Sequence, residues 1–487
     1  MQSLAYSVDR QMASNPPLFV DLDGTLIHTD LLIESFIELL KRHPLEALKA
    51  PLWLLRGKAY LKERIARLAS VDPEHLPYNI ELLEFLKREH EQGRAIHLAT
   101  ASNVRYASLV AGHLGFFKSV LASDDVTNLS GLRKLEAIQR VAPEGFVYAG
   151  NDHVDVAIWN ASDAVILVNA PLQIVRLIRA DIKVEADFKR SNPGIWPLLK
   201  ALRPHQWLKN MLVFLPLLPI ATSVSAGMAG EAIMAFIAFS MCASSVYLIN
   251  DLSDLAVDRA HPRKCKRPFA SGNLSPFYGL LLVPLLLLGA VAVGALLPPR
   301  FLAVLGFYWL STTAYTFLLK RYALIDVVTL AGLYTLRVIA GAAAISVPPS
   351  FWILAFSTFI FFSLALAKRY AELYVMQSLN RVAAKGRGYQ VADLQSVLQM
   401  GVASGYMAVL VMALYINSSE IIMRYGHVQL LWAVCPLLML WISRIWLKSA
   451  RGEMSDDPLV FAVTDKLSRL IVVLAAAVVL VALAWQQ

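Results

Sequence analysis

The sequence predicts two parts in tandem, an α/β domain on a doubly wound parallel sheet followed by an all-helical domain that crosses a membrane many times. The first observation is overall composition: 57% of the 487 residues are hydrophobic and only 17% charged, far more apolar than an ordinary soluble chain. The second is asymmetry. Up to about Asn192 charges are mixed with short apolar runs, whereas after about Pro204 long apolar blocks alternate with short charged loops. The third is that the short apolar runs of the first part end in turn-like acidic or hydroxyl clusters and alternate with helical segments, the pattern of a parallel sheet. A chain of this length holds two or three domains. The divisions read as 1–190, a linker at 191–204, and a membrane part at 205–487.

The second part contains nine apolar stretches near the length of about 20 residues that a bilayer requires. They lie at about 206–222, 230–250, 278–297, 301–319, 324–345, 351–367, 398–417, 428–447 and 468–485. Basic residues gather in alternate loops, with Arg259 to Arg267 after the second stretch, Lys320 and Arg321 after the fourth, Lys368 and Arg369 after the sixth, and Lys448 and Arg451 after the eighth. The positive-inside bias then puts the N-terminal part in the cytoplasm of a multi-pass inner-membrane protein and the C-terminus outside. The net charge of +9 is explained by those loops and by anionic headgroups, so nothing supports nucleic-acid binding. Three cysteines, Cys242, Cys265 and Cys435, have neither disulfide-framework nor metal spacing. The first fifteen residues lack an apolar signal core, which argues against secretion.

At the end of the second stretch stands Asn250-Asp251-Leu252-Ser253-Asp254, closed by Asp258. On one continuous helix the spacing i, i+3, i+7 puts the three acids on one face. Three carboxylates at a membrane edge repel one another unless a cation offsets them, which suggests magnesium with a pyrophosphate. Lys264, Lys266 and Arg267 follow, suited to leftover phosphate charge. Arg337 lies eleven residues after Asp326, about 16 Å deeper on a helix. An intramembrane arginine faces a polar cavity or an anionic headgroup, or forms a buried ion pair.

The Asn250–Asp258 motif resembles that of the UbiA family of intramembrane prenyltransferases. That resemblance implies nine helices, a lipid-accessible cavity, and magnesium-bound pyrophosphate. Typical members carry a second acidic motif, whereas Tyr315 through Lys320 to Asp326 offers one aspartate and an added lysine. Together with Arg203 to Asn210, Asn250 to Pro268 and Lys368 to Glu372, this wording is similar to the decaprenyl-phosphate phosphoribosyltransferase branch. The branch implies 5-phosphoribosyl pyrophosphate (PRPP) as donor, a polyprenyl phosphate as acceptor, and Asp251, Asp254 and Asp258 as the catalytic magnesium site. Asn250, Lys264, Lys266, Arg267, Tyr315, Lys320, Asp326, Arg337, Lys368 and Arg369 are then candidates for holding substrate, with Arg203 and Lys209 for the lipid phosphate. Relatives also suggest a homo-oligomer.

In the first part, Leu18-Phe19-Val20-Asp21-Leu22-Asp23-Gly24-Thr25 is an apolar strand ending in two acids at i and i+2. It resembles the first motif of the haloacid dehalogenase (HAD) phosphatases. The resemblance implies a magnesium-dependent phosphatase with Asp21 as nucleophile and Asp23 as general acid/base. Thr100, in the strand Ile96–Ser102 that ends in hydroxyls, would donate to a phosphate oxygen, and Lys134 would neutralise charge. The metal set would be Asp21, Asp23 and the Asn151, Asp152, Asp155 turn, and residues 30–85 would form a helical cap. Relatives often have Gly-Asp where this chain has Gly150-Asn151-Asp152, so Asp152 is a candidate shifted by one position.

The two resemblances combine into a bifunctional enzyme. The membrane part would place phosphoribosyl on the lipid, and the phosphatase would remove its 5-phosphate to give polyprenyl-phosphoryl ribose. Two alternatives remain open at this stage: a prenyltransferase moving a polyprenyl group to an aromatic acceptor, and a lipid transporter with a regulatory HAD domain.

Overall fold

The computed structural model describes residues 15–190, 194–379, 387–424, 427–454, 458, 461 and 464–484. Part of the expected linker, 191–193, lies outside them. Two compact units emerge. One comprises residues up to Leu202 together with Leu248–Leu282, the other Arg203–Tyr247 together with Val283 onward.

Within the first unit, β1 (Leu18–Val20), β2 (Ile96–Asn103), β3 (Ser119–Ser123), β4 (Val147–Gly150), β5 (Ala164–Val168) and β6 (Lys183–Phe188) form one parallel sheet in the order β3-β2-β1-β4-β5-β6. Val20 pairs in register with Leu98 on one side and Ala149 on the other. The segments that follow β1, β2 and β4 therefore meet at one carboxyl edge, where the strand order reverses. In open α/β sheets this crevice is where ligands bind. The central strands β1, β4 and β5 are buried throughout, as their unbroken apolar runs require, while the edge strand β6 is largely exposed.

Helices α1 (Leu31–Arg42), α2 (Lys58–Leu68), α3 (Ile80–Glu91), α4 (Val104–Leu114) and α5 (Leu132–Val141) complete this α/β body. Asp30 caps α1, accepting from the amides of Leu32 at 2.8 Å and Ile33 at 3.3 Å, worth about 1 kcal/mol. Asn103 caps α4, and Gly115 ends it in the left-handed region. In the stretch expected to be a cap, Leu39, Trp53, Ile65 and Ala69 close a small apolar core of their own. The acidic motif also belongs to this unit: α6 (Ala226–Ser253) ends within it, and α7 (Leu255–Arg259) follows.

The membrane part departs from the expected nine spans. Among the described residues six helical stretches are long and apolar enough to cross a bilayer: Ala226–Ser253, Pro276–Gly294, Ile325–Ala344, Phe351–Ser378, Val391–Ile416 and Val428–Ala450. The first expected span, about 206–222, falls in Pro204–Ser223, which winds instead in tight three-residue turns with prolines at 204, 216 and 219, because each proline removes a donor from the helical ladder. Pro299–Phe317 is helical but ends in Ser311, Thr312, Thr313 and Thr316. There Thr316 donates back to the Thr312 carbonyl at 2.9 Å. The last helix, Lys466–Ala484, is 19 residues long and apolar but is not among these six.

Within the second unit Arg337, on Ile325–Ala344, is fully engaged by neutral groups. Its Nε donates to Asn210 Oδ1 at 2.9 Å, Nη2 to the Tyr308 hydroxyl at 2.9 Å, and Nη1 to the Leu333 carbonyl. The rings of Tyr308, Phe239 and Tyr334 lie 5.0–5.5 Å from its guanidinium carbon. Asn210 in turn donates to Ser240 at 3.0 Å. The residue knits the Pro204–Ser223 segment to two helices. Replacing Arg337 by Met strands Asn210 and Tyr308, and is expected to cost about 2–4 kcal/mol. Thermal unfolding in detergent measures this, and a midpoint equal to wild type would contradict it.

Candidate active sites

The soluble site grows from the carboxyl edge of the sheet. Asp21 follows β1, with its amide on the Ala149 carbonyl at 3.0 Å, and Lys134 of α5 donates to its carboxylate at 2.9 Å. Lys134 also donates to the Tyr148 hydroxyl at 2.8 Å, and that hydroxyl donates to Asp155 at 2.8 Å. The other Asp155 oxygen accepts from the amides of Asn151 and Asp152 at 3.0 and 3.1 Å. Asp155 thus stands behind Lys134 and fixes the turn after β4. Tyr148, an unremarked strand residue in the sequence, is the link between them.

Asp23 accepts from the Ser102 hydroxyl at 2.6 Å and from the Leu31 amide at 2.9 Å. Thr100 is fully buried, and its hydroxyl oxygen accepts from the Ser102 amide at 3.0 Å. Burial pushes Asp21 up to about 6, against the pull of Lys134, and burial together with neighbouring Asp30 pushes Asp23 up to about 7. Both carboxyls stand above the ordinary range, Asp21 the lower of the two because Lys134 opposes its burial, an order that suits Asp21 as nucleophile and Asp23 as general acid.

Buried Asp21 and half-buried Asp23, with Lys134 paired to Asp21 and Asp155, leave charge that a further cation can offset. Gly24, at φ +73°, turns the chain after Asp23, and a Cβ there would fall 2.2 Å from Asn151 Nδ2. Asn151 is therefore the motif residue beside the Asp21–Gly24 turn, whereas the exposed Asp152 accepts from the His153 amide at 2.6 Å. Asp21, Asp23 and Asn151 supply the oxygen donors a magnesium ion prefers.

Sequence reasoning also missed Lys62 of α2, whose Nζ donates to the Ala101 carbonyl at 2.6 Å and to Asn128 at 2.8 Å. It brings a half-buried cation from the cap region to the segment between Thr100 and Ser102. No local motif marks it, because its meaning depends on how the cap folds back.

The second site surrounds the Asn250–Asp258 motif. The helix does not run straight through it. Asp254 leaves helical geometry (φ −101°, ψ 12°) and α7 begins after it, while the backbone bonds Asp254 N to Asn250 O at 3.0 Å and Asp258 N to Asp254 O at 2.8 Å bridge the kink. Arg267 spans Asp251 at 3.1 Å and Asp258 at 2.5 Å, and both acids are buried. Lys264 Nζ is 3.9 Å from Asp258 Oδ1, which is buried without a hydrogen-bond partner. Asp258 thus keeps one oxygen unsatisfied while it shares Arg267 with Asp251, a donor of the kind a divalent cation takes; among the described residues the oxygens of Asp251, Asp254 and Asp258 are not gathered within 4.8 Å of one another. Asn250 is half-buried, and Lys266 points to solvent.

In the second unit, Asp326 is fully buried and already neutralised. Arg369 Nε lies 2.5 Å from one of its oxygens, and the Tyr315 hydroxyl donates to the other at 2.7 Å. Arg369 also pairs with Glu372, which Arg387 meets at 3.2 Å. Lys209 is buried with its Nζ 6.0 Å over the Tyr334 ring, and Arg203 sits 5.4 Å over Tyr247. Lys320 and Lys368 are half-buried.

The UbiA prenyltransferase family model matches residues 213–468, and the model for haloacid dehalogenase-like hydrolases matches residues 18–157. An uncharacterized protein of Sinorhizobium fredii is 36% identical over 96% of this chain and 91% of its own length. A Mycolicibacterium smegmatis protein named decaprenyl-phosphate phosphoribosyltransferase is 37% identical over 194 residues, 39% of this chain and 60% of that one. Among solved structures, a UbiA homolog from Archaeoglobus fulgidus bound to GPP and Mg2+ aligns with TM-score 0.45 at 17% identity, covering 58% of this chain and 99% of that one.

Because the Asp23 carboxyl stands near 7 instead of its ordinary 3.8, its contribution to stability is complete at low pH and is lost as pH rises through 7. Asp23→Asn removes that loss. In a divalent-free buffer its unfolding midpoint is expected above wild type at pH 8, with the gap closing toward pH 5. Thermal scans at both pH values measure it; a gap that does not change with pH would contradict the assignment.

Proposed function

The chain belongs to the UbiA prenyltransferase family and carries an N-terminal haloacid dehalogenase-like domain, and from that premise we propose a bifunctional, multi-pass membrane enzyme of lipid-linked pentose synthesis. The membrane part transfers 5-phosphoribosyl from PRPP to a polyprenyl phosphate, and the N-terminal domain, on the cytoplasmic side, removes the 5-phosphate. The observation that carries this reading is the state of Asp326. A donor that is itself a prenyl pyrophosphate goes with two acidic motifs in typical members, but here the later carboxylate is occupied by Arg369 and Tyr315. One acid motif is left, flanked by Arg267 and Lys264. The similarity to the mycobacterial enzyme over 194 residues points the same way.

In the transfer, an oxygen of the lipid phosphate attacks the anomeric carbon of ribose as the bond from that carbon to pyrophosphate breaks. The acceptor is already an anion, so no strong base is needed. Asp251, Asp254 and Asp258 would hold magnesium, which supplies charge neutralisation to the departing pyrophosphate. Arg267 and Lys264 add donors to the same oxygens. Arg203 and Lys209 are suited to the lipid phosphate, by charge and by their place at the start of the membrane part.

In the second reaction the Asp21 carboxylate attacks the phosphorus of the ribose 5-phosphate. Asp23 gives its proton to the departing 5-oxygen, then takes one from the water that releases phosphate from Asp21. Lys134 keeps Asp21 ionised and offsets charge as the phosphoryl group arrives. Asn151, with Asp21 and Asp23, would hold the magnesium of this site.

Mass spectrometry of lipids after incubation with magnesium, PRPP and a polyprenyl phosphate tests both steps. Asp21→Asn is expected to accumulate phosphoribosyl lipid and wild type to convert it to ribosyl lipid, while Asp251→Ala gives neither. Absence of any ribose-bearing lipid from wild type would overturn the donor assignment. Phosphate release by Asp21→Asn at the wild-type rate would overturn the nucleophile.

A further inference from the structure

Helix α1 starts at the phosphatase site and reaches the acid motif one turn later. The Leu31 amide at its N-terminus donates to Asp23 at 2.9 Å. Glu34, three residues on, receives both terminal nitrogens of Arg259, at 2.9 and 2.5 Å. Each side chain of this pair is only 8% exposed. Arg259 is the residue after Asp258, and its Nε also donates to the Ala270 carbonyl at 3.2 Å. At the far end of α1, Lys41 donates to the Ser253 carbonyl at 2.9 Å. A third attachment comes from Arg190, which donates to the Gly272 carbonyl at 3.1 Å. Gly272 itself, at φ +71°, lies so close to His28 that a Cβ would fall 2.6 Å from the His28 Cβ.

These contacts matter because α7, which carries Asp258, has five residues. A helix that short has no stability of its own in water. Asp254 breaks its continuity with α6, so its orientation must be set from outside. Arg267 cannot set it alone, being also the partner of the two acids that a cation would claim. Glu34 and the Ala270 carbonyl hold Arg259 independently of Arg267, the Glu34 pair in a bidentate geometry that fixes direction as well as distance.

We propose that Glu34, a residue of the phosphatase-like domain, is a positioning residue for the membrane-edge acid motif, holding Asp258 through Arg259 in the geometry that binds magnesium and pyrophosphate. The HAD-like domain is then a structural part of the transferase site as well as an enzyme beside it. This deepens the reading of the acid motif as a pyrophosphate site and rests on it.

The test uses the full-length protein in detergent, wild type against Glu34→Gln, Arg259→Gln and the double variant. Calorimetric titration with magnesium and inorganic pyrophosphate reads the site without turnover. Each single variant is expected to bind about tenfold more weakly, the usual scale for losing a group that orients a metal ligand. The double variant should be no worse than either single. Transfer kinetics should show the loss in KM for PRPP more than in kcat, with hydrolysis of p-nitrophenyl phosphate within about twofold of wild type, since Asp21 and Asp23 are untouched. Amide exchange over residues 254–260, faster in Glu34→Gln, reads the docking with no ligand at all. Wild-type binding by Glu34→Gln, additive losses in the double variant, or unchanged exchange would overturn the proposal. Failure of wild type itself to bind pyrophosphate would overturn the donor reading instead, and exchange would still decide the role of Glu34.

Discussion

A carboxylate removed from water costs several kcal/mol unless a cation stands beside it with good geometry, and the buried acids of this chain meet that demand in three ways. Asp326 is paired outright with Arg369, with Tyr315 on its second oxygen. Asp21 and Asp155 share Lys134, with Tyr148 wedged between the lysine and Asp155. Asp251 and Asp258 share Arg267, and one oxygen of Asp258 is left over. The degree of compensation separates structure from chemistry. Asp326 faces Arg369 and Tyr315 in a tie between helices, although its Oδ2 too has no hydrogen-bond partner, whereas the two groups that share one cation between two acids are the ones assigned above to metal and phosphate. Perturbed, incompletely satisfied acids gather at functional sites for this reason.

The same constraint explains why Arg337 is not a partner for any of these acids. Its donors are met by Asn210, Tyr308 and a helix carbonyl, and its charge by three aromatic faces. Ring faces and neutral acceptors stabilise a cation without adding a second ion that must itself be desolvated. A membrane interior favours that solution, and it leaves the carboxylates elsewhere available to bind ligands.

How much of this was legible in the sequence follows from the range of each interaction. The Asp21–Thr25 turn and the Asn250–Asp258 motif are local, and both were readable as acids at fixed spacing. Lys134 reaches Asp21 across 113 positions, and it was named in advance only through the resemblance to the HAD motifs. Ser102, Tyr148 and Lys62 were missed because each acts through a tertiary partner and carries no pattern of its own. The kink at Asp254 was invisible to a spacing argument that assumes one continuous helix. The irregular Pro204–Ser223 segment was different: apolar length suggested a span, and the prolines at 216 and 219 were the contrary signal. Glu34 and Arg259 are 225 positions apart, and nothing short of the folded chain pairs them.

That last pair bears on why a haloacid dehalogenase-like domain and a UbiA-family domain, which the proposed reading makes successive enzymes, occupy one chain. Tethering alone raises the local concentration of a second active site around the first product, and a flexible linker of any reasonable length would do so. A linker does not require a buried, bidentate ion pair, a lysine on the Ser253 carbonyl, or a glycine pressed against His28. Those contacts order both partners and lose conformational entropy in doing so. Their presence, with Leu248–Leu282 packing as part of the N-terminal unit, favours mutual support over mere proximity. The acid motif lies at the end of α6 where the helical ladder stops, and a five-residue helix cannot orient a metal ligand unaided. The α/β body supplies the rigid surface that it lacks.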